Sequence, residues 1–163
     1  MTDPAHLRRV FATFPTGVVA MAAMVDGAPV GLAASSFVSV SLDPPLVSVC
    51  VAHTSTTWPV LSTVGRLGIS VLGADQESAG RQLSEKGVDR FAGLGWRTTA
   101  DGAVLLAGAS AWLDCAVERQ LPAGDHDIVL LRVHDLGADP RVPPLVFHGS
   151  AYRRLEEQLE RSA

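Results

Sequence analysis

The sequence predicts a small, mainly β protein whose antiparallel strands form a closed or nearly closed barrel with a few short helices. Three observations support this prediction: segments in which every second residue is apolar, turn-forming residues between those segments, and 163 residues without an internal repeat. Closing a sheet removes its exposed edges, which suits a chain of this length. We therefore expect a single domain over residues 1–163.

The first predicted element is an amphipathic helix. Asp3 precedes Pro4, which is the usual order of a helix N-cap and the first helical residue. Apolar residues then recur at helical spacing, namely Leu7, Val10, Phe11 and Phe14. Because one face is apolar, we expect this helix to end near Pro15 and to pack on the core as a lid.

Most of the remaining chain is predicted to form strands. They are apolar or alternating stretches bounded by turn residues, at residues 18–25, 28–33, 37–42, 46–51, 67–72, 111–121, 128–136 and 145–152. Asp26-Gly27 is a hairpin signal, and turns are expected at 43–45 and 122–125. On two strands the apolar residues share one face: Val38, Val40 and Leu42 on the earlier strand, Val47, Val49 and Val51 on the later one.

Two segments between the strands are predicted to have a different structure. Asp75 can cap a short helix that ends near residue 84, with Ala79 and Leu83 one turn apart. Residues 87–108 are rich in glycine and polar residues and predict a long loop, of a kind that is usually functional or mobile. The polar tail, residues 155–163, predicts a helical turn or a frayed end.

Composition excludes several classes of protein. The net charge is −4 and no basic cluster alternates with aromatic residues, so nucleic acid is not an expected partner. No stretch approaches the roughly 20 apolar residues of a membrane span, and the N-terminal residues lack the order of a signal peptide, so we expect a cytoplasmic protein. Cys50 and Cys115 lie in apolar alternating runs, which favours buried reduced thiols over a disulfide.

Sequence motifs for several kinds of chemistry are absent. The chain has no phosphate-binding loop of the Walker type, no dinucleotide-binding glycine motif, no C-x-x-C and no hydrolase G-x-S-x-G. The five histidines show no close metal-ligand spacing, so no metal site is expected.

Three segments could instead bind a ligand. Small residues from Gly31 to Phe37 leave backbone groups accessible to the edge of a planar heterocycle, although a tightly packed corner uses the same residues. Hydroxyl groups at 54–57 precede a helix start at Trp58-Pro59, where they serve either a phosphate or an ordinary helix cap. His126 follows a turn at the start of a strand, where it is either a site residue or a structural one.

These segments together resemble the flavin reductase family, the reductase components of two-component flavin-dependent monooxygenases. The resemblance extends from Phe11 to Tyr152 and rests on FPTGVV, GLAAS, SFVSVSLDPPLVSVCV, STT, GISVL and GDH. It implies a split β-barrel with Greek-key-like connections that binds FMN or FAD as a homodimer, with the flavin near the subunit interface. It also implies that NADH or NADPH is the reductant and that reduced flavin diffuses to a monooxygenase.

The resemblance also implies roles for individual residues, all of them positioning roles rather than acid–base or covalent ones. The residues expected along the isoalloxazine ring are Ala33, Ala34, Ser35, Ser36, Phe37 and Ser39. Those expected along the ribityl chain and phosphate are Cys50, Ser55, Thr57 and Ser84. His126 is expected to position the nicotinamide nucleotide. The family pattern Thr-Ala-Asn-Ser is replaced here by Ala33-Ala34-Ser35-Ser36, which removes one hydroxyl and shortens one amide.

Two other functions are compatible with the same residues. One is a pyridoxamine-phosphate-oxidase-like enzyme, although residues 53–57 contain no Arg or Lys cluster for a second phosphate. The other is a flavin carrier or sensor, in which His126 is purely structural. Oxidation of NADH with and without added flavin distinguishes a reductase from a carrier.

Overall fold

The structure, a computed structural model that describes residues 3–156, is mainly β with few helices, as the sequence predicted. The helices within these residues are α1 (Pro4–Phe11), α2 (Trp58–Leu61) and α3 (Glu77–Gln82). The strands are β1 (Thr16–Gly17), β2 (Val19–Val25), β3 (Ala28–Ala34), β4 (Val38–Leu42), β5 (Pro45–Ala52), β6 (Leu67–Val71), β7 (Trp96–Thr98), β8 (Val104–Leu106), β9 (Ala111–Ala123), β10 (His126–Ala138), β11 (Leu145–His148) and β12 (Ala151–Arg154).

The largest sheet of the described chain has seven strands in the order β3-β2-β6-β9-β10-β5-β4, and each neighbouring pair is antiparallel. Smaller sheets have the orders β1-β11-β12 and β7-β8. The hydrogen-bonded ladder of the large sheet ends at β3 and at β4, so the sheet is open rather than closed. The chain crosses between these two edges through residues 35–37, which form no strand.

The core consists of two clusters on opposite faces of β2. Side chains of successive residues in a strand point to opposite faces. Val19 and Met21 therefore pack in a first cluster with strands β5, β6 and β10, whereas Ala20 and Ala22 pack in a second cluster with Leu72. Because both faces are covered, β2 is apolar at every position, as strands buried on both sides usually are.

Strand β8 packs directly on β6, where Gly68 permits the close approach. A Cβ atom at Gly68 would lie 2.1 Å from the carbonyl oxygen of Val104. Val104, Leu105 and Leu106 are all buried. The prediction of one long loop over 87–108 is therefore wrong, because the segment contributes β7, β8 and part of the core. A strand of three residues is too short for its alternation to be recognised in the sequence.

Helix α1 forms as predicted, but it is not a lid on the core. The Asp3 carboxylate accepts hydrogen bonds from two backbone N–H groups of the first turn, at 3.1 and 3.2 Å. No residue of α1 is buried, and the side chains of Phe11 and Phe14 are 68% and 73% exposed. Within residues 3–156, the apolar face of this helix is therefore left largely exposed.

Two other expectations are corrected by tertiary contacts. Asp75 does not cap α3, because Gln76 occupies the N-cap position. The carboxylate of Asp75 instead accepts a 2.6 Å hydrogen bond from Arg154. The single strand predicted over 145–152 is a hairpin of β11 and β12. Its turn, Gly149-Ser150, has a φ of about 60° at both residues, which is the left-handed conformation of a tight turn.

No helix formed by residues 3–156 is both long enough and apolar enough to cross a membrane. The helical turn predicted in the polar tail falls mainly on residues 157–163, which lie outside the described residues.

Candidate functional site

A groove of about 380 Å³ opens where the ends of β3 and β5 meet the start of β10. Ligand clefts in proteins commonly span about 300–1,000 Å³, so this groove can hold a small organic molecule. It brings together nine residues that the sequence singled out: Ala33, Ala34, Ser35, Ser36, Cys50, Ser55, Thr57, Ser84 and His126.

Two residues expected beside the ligand, Phe37 and Ser39, do not line the groove. Phe37 is half-buried and packs against the first core cluster. Ser39 is exposed on β4, opposite Val47 of β5. Phe37 is the last residue of the crossing from β3 to β4, and Ser39 lies beyond it on β4, so both come after the residues that line the groove.

The hydroxyl of Ser36 is fully occupied within the protein. It donates a hydrogen bond to the carbonyl oxygen of Cys50 at 3.1 Å and accepts one from the backbone N–H of Cys50 at 2.8 Å. Ser36 therefore attaches the β3–β4 crossing to β5 rather than contributing a free donor. The backbone and small side chains of Ala33, Ala34 and Ser35 remain to contact a ligand.

The hydroxyls of Ser55 and Thr57 each retain a proton to donate. Ser55 Oγ accepts from the backbone N–H of Trp58 at 3.1 Å, and Thr57 Oγ1 accepts from Arg90 at 3.0 Å. A hydroxyl that accepts one hydrogen bond can still donate another. Helix α2 has only four residues, and the side chain of its N-cap residue, Thr57, does not cap it, so these hydroxyls, rather than a helix N-terminus, are the groups that can hold an anion here.

Arg90 lines the same groove and was not found from the sequence. Its guanidinium donates to three neutral acceptors: the carbonyl oxygen of Glu85 at 2.6 Å, the carbonyl oxygen of Gly31 at 3.0 Å and the hydroxyl of Thr57. Among residues 3–156 no carboxylate forms an ion pair with it. A half-buried guanidinium without a counter-ion is a good binding group for phosphate.

Lys86 adds a second positive charge to this part of the groove. Residues 53–57 contain no Lys or Arg. The two basic side chains of the groove, Lys86 and Arg90, come instead from the segment that follows α3. No sequence signal marks them, because isolated Arg and Lys residues in a polar loop usually only face solvent.

Ser84 also lines the groove, where its hydroxyl oxygen can accept a hydrogen bond but has no free proton to donate. Its hydroxyl donates to the carbonyl oxygen of Gly80 at 2.9 Å. Behind Ser84 a smaller cavity of about 130 Å³ extends to Phe147 and Tyr152. Burial raises the pKa of the Tyr152 phenol, which therefore stays protonated at neutral pH.

His126 is a surface residue of the groove rather than a core residue. It is the first residue of β10, opposite Ala52 of β5 and Ala123 of β9, and its side chain is 44% exposed. Its Nδ1 lies 2.7 Å from the Asp125 carboxylate, and this hydrogen bond holds the pKa of Asp125 below its usual range. The side chain is thus oriented at the groove without contributing to packing.

The two cysteines differ in environment, and only Cys115 is buried as predicted. Both are free thiols; Cys50 is exposed and lines the groove. Burial raises the pKa of Cys115 to about 12, so its reactive thiolate form is absent near neutral pH. Within residues 3–156, no three His, Cys, Asp or Glu side chains lie close enough to hold a metal ion.

Comparison with known proteins relates this chain to one family. The flavin reductase like domain matches residues 11–156. A flavin reductase of Pseudomonas putida is 37% identical over 92% of this chain and 89% of its own length. The reductase subunit of a flavin-dependent monooxygenase from Rhodococcus jostii is 35% identical over 94% of this chain and 79% of its own. The solved structure of an NADH:FAD oxidoreductase from Streptomyces globisporus, in complex with NAD and FAD fragments, has a TM-score of 0.89 and 39% identity, with 96% of both chains covered.

The different exposure of the two thiols predicts that only Cys50, in the wall of the groove, reacts in the native protein. At about pH 8, a chromogenic disulfide reagent should modify one thiol per native chain and both thiols after denaturation, because Cys50 is exposed whereas Cys115 is buried with a raised pKa. The change Cys50→Ser should abolish the reaction of the native protein, and the control Cys115→Ala should leave it unchanged. Two fast-reacting thiols in the native state would contradict the burial of Cys115.

Proposed function

The chain belongs to the flavin reductase family, and on that premise we propose that the groove holds the flavin ring against residues 33–36 and the flavin phosphate near Ser55, Thr57 and Arg90. The chain is an NAD(P)H:flavin oxidoreductase, which reduces a flavin and supplies it to a partner monooxygenase. This placement of the flavin rests on one observation: nine of the predicted site residues, from four separate segments, line one groove.

The reaction requires positioning rather than acid–base chemistry from the protein. When both molecules are bound, hydride passes from C4 of the reduced nicotinamide to N5 of the flavin. The groove walls orient the rings and exclude water, and correct orientation alone accounts for much of a rate enhancement. We therefore assign no catalytic acid, base or nucleophile to this chain.

The residues at the ring end fit a flat heterocycle. Ala33 and Ala34 have small side chains, so a ring can approach their backbone N–H and C=O groups closely. Ser35 is exposed and adds a hydroxyl. Since the Ser36 hydroxyl is occupied by Cys50, we propose that the backbone rather than this side chain pairs with the polar edge of the isoalloxazine.

At the other end, neutral donors and one fixed cation fit a phosphate. Ser55 and Thr57 can each donate a hydrogen bond, and Arg90 supplies positive charge with no ion-paired carboxylate among residues 3–156. His126 lies on the rim, where we propose that it contacts the nicotinamide nucleotide. The Asp125 carboxylate, which is bonded to Nδ1, leaves Nε2 of His126 for the nucleotide.

We further propose that the open sheet belongs to a split β-barrel with Greek-key-like connections, and that residues 1–163 form one domain. The two edges β3 and β4 lie next to each other in the chain, separated only by residues 35–37, which supports this arrangement. Free Cys50 and Cys115 favour a reducing compartment, so we propose a cytoplasmic location.

We propose that the functional unit is a homodimer, because one chain leaves a large apolar face uncovered on β4. Val38 and Val40 are about half exposed, and Leu42 is 96% exposed. Contiguous apolar patches of this kind mark association surfaces. Light scattering should give twice the mass of one chain, and Val40→Asp should shift the population to monomers, whereas Val60→Asp on α2 should not. A fully active monomer at micromolar concentration would contradict the proposal.

The phosphate site can be tested by removing its two hydroxyl donors. The double change Ser55→Ala and Thr57→Ala should weaken FMN binding by about 100-fold or more, because each hydrogen bond to a charged group is worth about 1.5–3 kcal/mol. Riboflavin lacks the phosphate and should be affected little. Thr54→Ala, in the same segment but outside the groove, is the matched control. Equal losses for FMN and riboflavin would mean that the segment only supports the fold.

His126 can be tested by steady-state kinetics of NADH oxidation with added flavin. His126→Ala should raise the KM for the nicotinamide nucleotide or slow hydride transfer by roughly 10- to 100-fold, because positioning rather than proton transfer is lost. Flavin affinity and melting temperature should stay almost unchanged, as they should for the control His134→Ala, an exposed histidine further along β10. A lower melting temperature together with lost flavin binding would show that His126 is structural.

A further inference from the structure

The phosphate segment, residues 53–57, is attached to strand β10 through His53. The backbone N–H of His53 donates to the carbonyl oxygen of Asp125 at 3.0 Å, and its side-chain Nε2 lies 2.9 Å from Oδ1 of Asp127. These two contacts flank His126, which occupies the last position of the β5–β10 ladder. His53 therefore continues the attachment of this segment to β10 beyond the end of the ladder.

The Asp127 carboxylate is held in turn by a side chain of another strand. Its second oxygen, Oδ2, accepts a hydrogen bond from the Gln120 side chain on β9. Hydrogen bonds from Gln120 and His53 hold the pKa of Asp127 below its usual range, so the carboxylate is ionised at neutral pH. The Asp127 side chain is only 17% exposed, and both of its oxygens are occupied. Asp127 is thus a fixed anchor for the more exposed side chain of His53.

Neither member of the His53–Asp127 pair lines the groove. Both border a neighbouring cavity of about 300 Å³, which shares Val51, Ala52 and Ser55 with the groove. Any effect of the pair on a ligand in the groove must therefore pass through residues that the pair holds in place. Ser55, two positions after His53, is the nearest of these residues.

The hydrogen bonds of Ser55 itself are local in the chain. Its backbone N–H donates to the carbonyl oxygen of Ala52 at 3.0 Å, and its hydroxyl accepts from the N–H of Trp58. These bonds shape the turn but do not attach it to another strand. In the part of the chain that the structure describes, hydrogen bonds from the phosphate segment to distant residues are those of His53 and the one between Thr57 and Arg90. Attachment of the segment to β10 thus depends on His53.

We propose that the His53–Asp127 pair is a positioning pair: it fixes the phosphate segment against β10 and thereby sets the flavin at its reacting distance from the nucleotide beside His126. This proposal rests on the function proposed above, because it requires the flavin phosphate at Ser55 and Thr57. A small displacement of the flavin matters, because misplacement by about 1 Å can cost about 100-fold in rate. A partly exposed ion pair contributes little to stability, so its loss affects the reaction rather than the fold.

The experiment measures kcat/KM for FMN and for riboflavin, with NADH as reductant, in the unchanged protein and in Asp127→Ala. The value for FMN should fall about tenfold, because its phosphate is no longer held at a fixed position. Riboflavin has no phosphate, so its value should change by no more than about twofold. The melting temperature should stay almost unchanged, because the pair contributes little to stability.

Two further variants separate the contact from the charge and from general effects on the sheet. Asp127→Asn keeps an oxygen that can accept a hydrogen bond from His53 and should restore most of the activity with FMN. The control Glu118→Gln disrupts a different ion pair between β9 and β10, the pair with Arg132, which lies outside the groove. This control should change neither flavin's kcat/KM.

A double-mutant cycle tests whether the two side chains act as one unit. His53→Ala should lower kcat/KM for FMN as much as Asp127→Ala does, and the double variant should show no further loss. Losses that multiply in the double variant would overturn the proposal. An equal fall for FMN and riboflavin, accompanied by a lower melting temperature, would also overturn it, because the pair would then be merely structural.

Failure of this proposal is distinguishable from failure of the proposed flavin site. If the double change Ser55→Ala and Thr57→Ala weakens FMN binding selectively but Asp127→Ala leaves the FMN kinetics unchanged, the site is correct and the positioning role is wrong. If neither variant distinguishes FMN from riboflavin, the flavin phosphate does not bind at this segment, and both the site and the positioning role are wrong.

Discussion

The groove depends on the way Ser36 attaches the β3–β4 crossing to β5. Strand β4 pairs with β5 only as far as Ser48, so the backbone of Cys50 has no strand neighbour on that side. The hydroxyl of Ser36 takes the place of that neighbour by donating to the carbonyl and accepting from the N–H of Cys50. A side chain that bonds to both backbone groups in this way satisfies a donor and an acceptor that no strand pairs. Because the crossing is held at this point, Ala33, Ala34 and Ser35 stand at the rim of an opening instead of inside a closed sheet.

The positive charge of the groove comes from the loop after α3, and this loop is held in place by contacts with the core and with α3. Phe91 is buried in the second core cluster, and the side chain of Gln82 on α3 donates to three carbonyl oxygens of residues 89–92. Arg90 lies between these anchors, so its guanidinium is oriented before any ligand arrives. A preorganised cation loses little conformational entropy on binding a phosphate, which raises the affinity that one charge can provide.

Hydride transfer to a flavin does not require an acid–base pair from the protein, and the groove residues do not provide one. Hydride transfer between two cofactors is carried out by the cofactors, and the protein contributes orientation and a shaped, partly dry surface. Most side chains that line the groove are accordingly small, hydroxyl-bearing or basic. The exposure of His126 and its hydrogen bond to Asp125 suit a residue that positions a nucleotide.

The sequence by itself determined most of the strands, the hairpins with strong turn residues and most of the groove. Alternation located the buried face of β5, and Asp26-Gly27 adopts the positive φ angles, 49° and 82°, of the predicted hairpin turn. Such features depend on residues that are neighbours in the chain. Tertiary structure alone decided that β4 and α1 keep exposed apolar faces, that β8 is buried against Gly68, and that Arg90 meets Thr57. Arg90 and Thr57 are 33 residues apart, and their contact depends on how the loop around Phe91 packs, which no local pattern encodes.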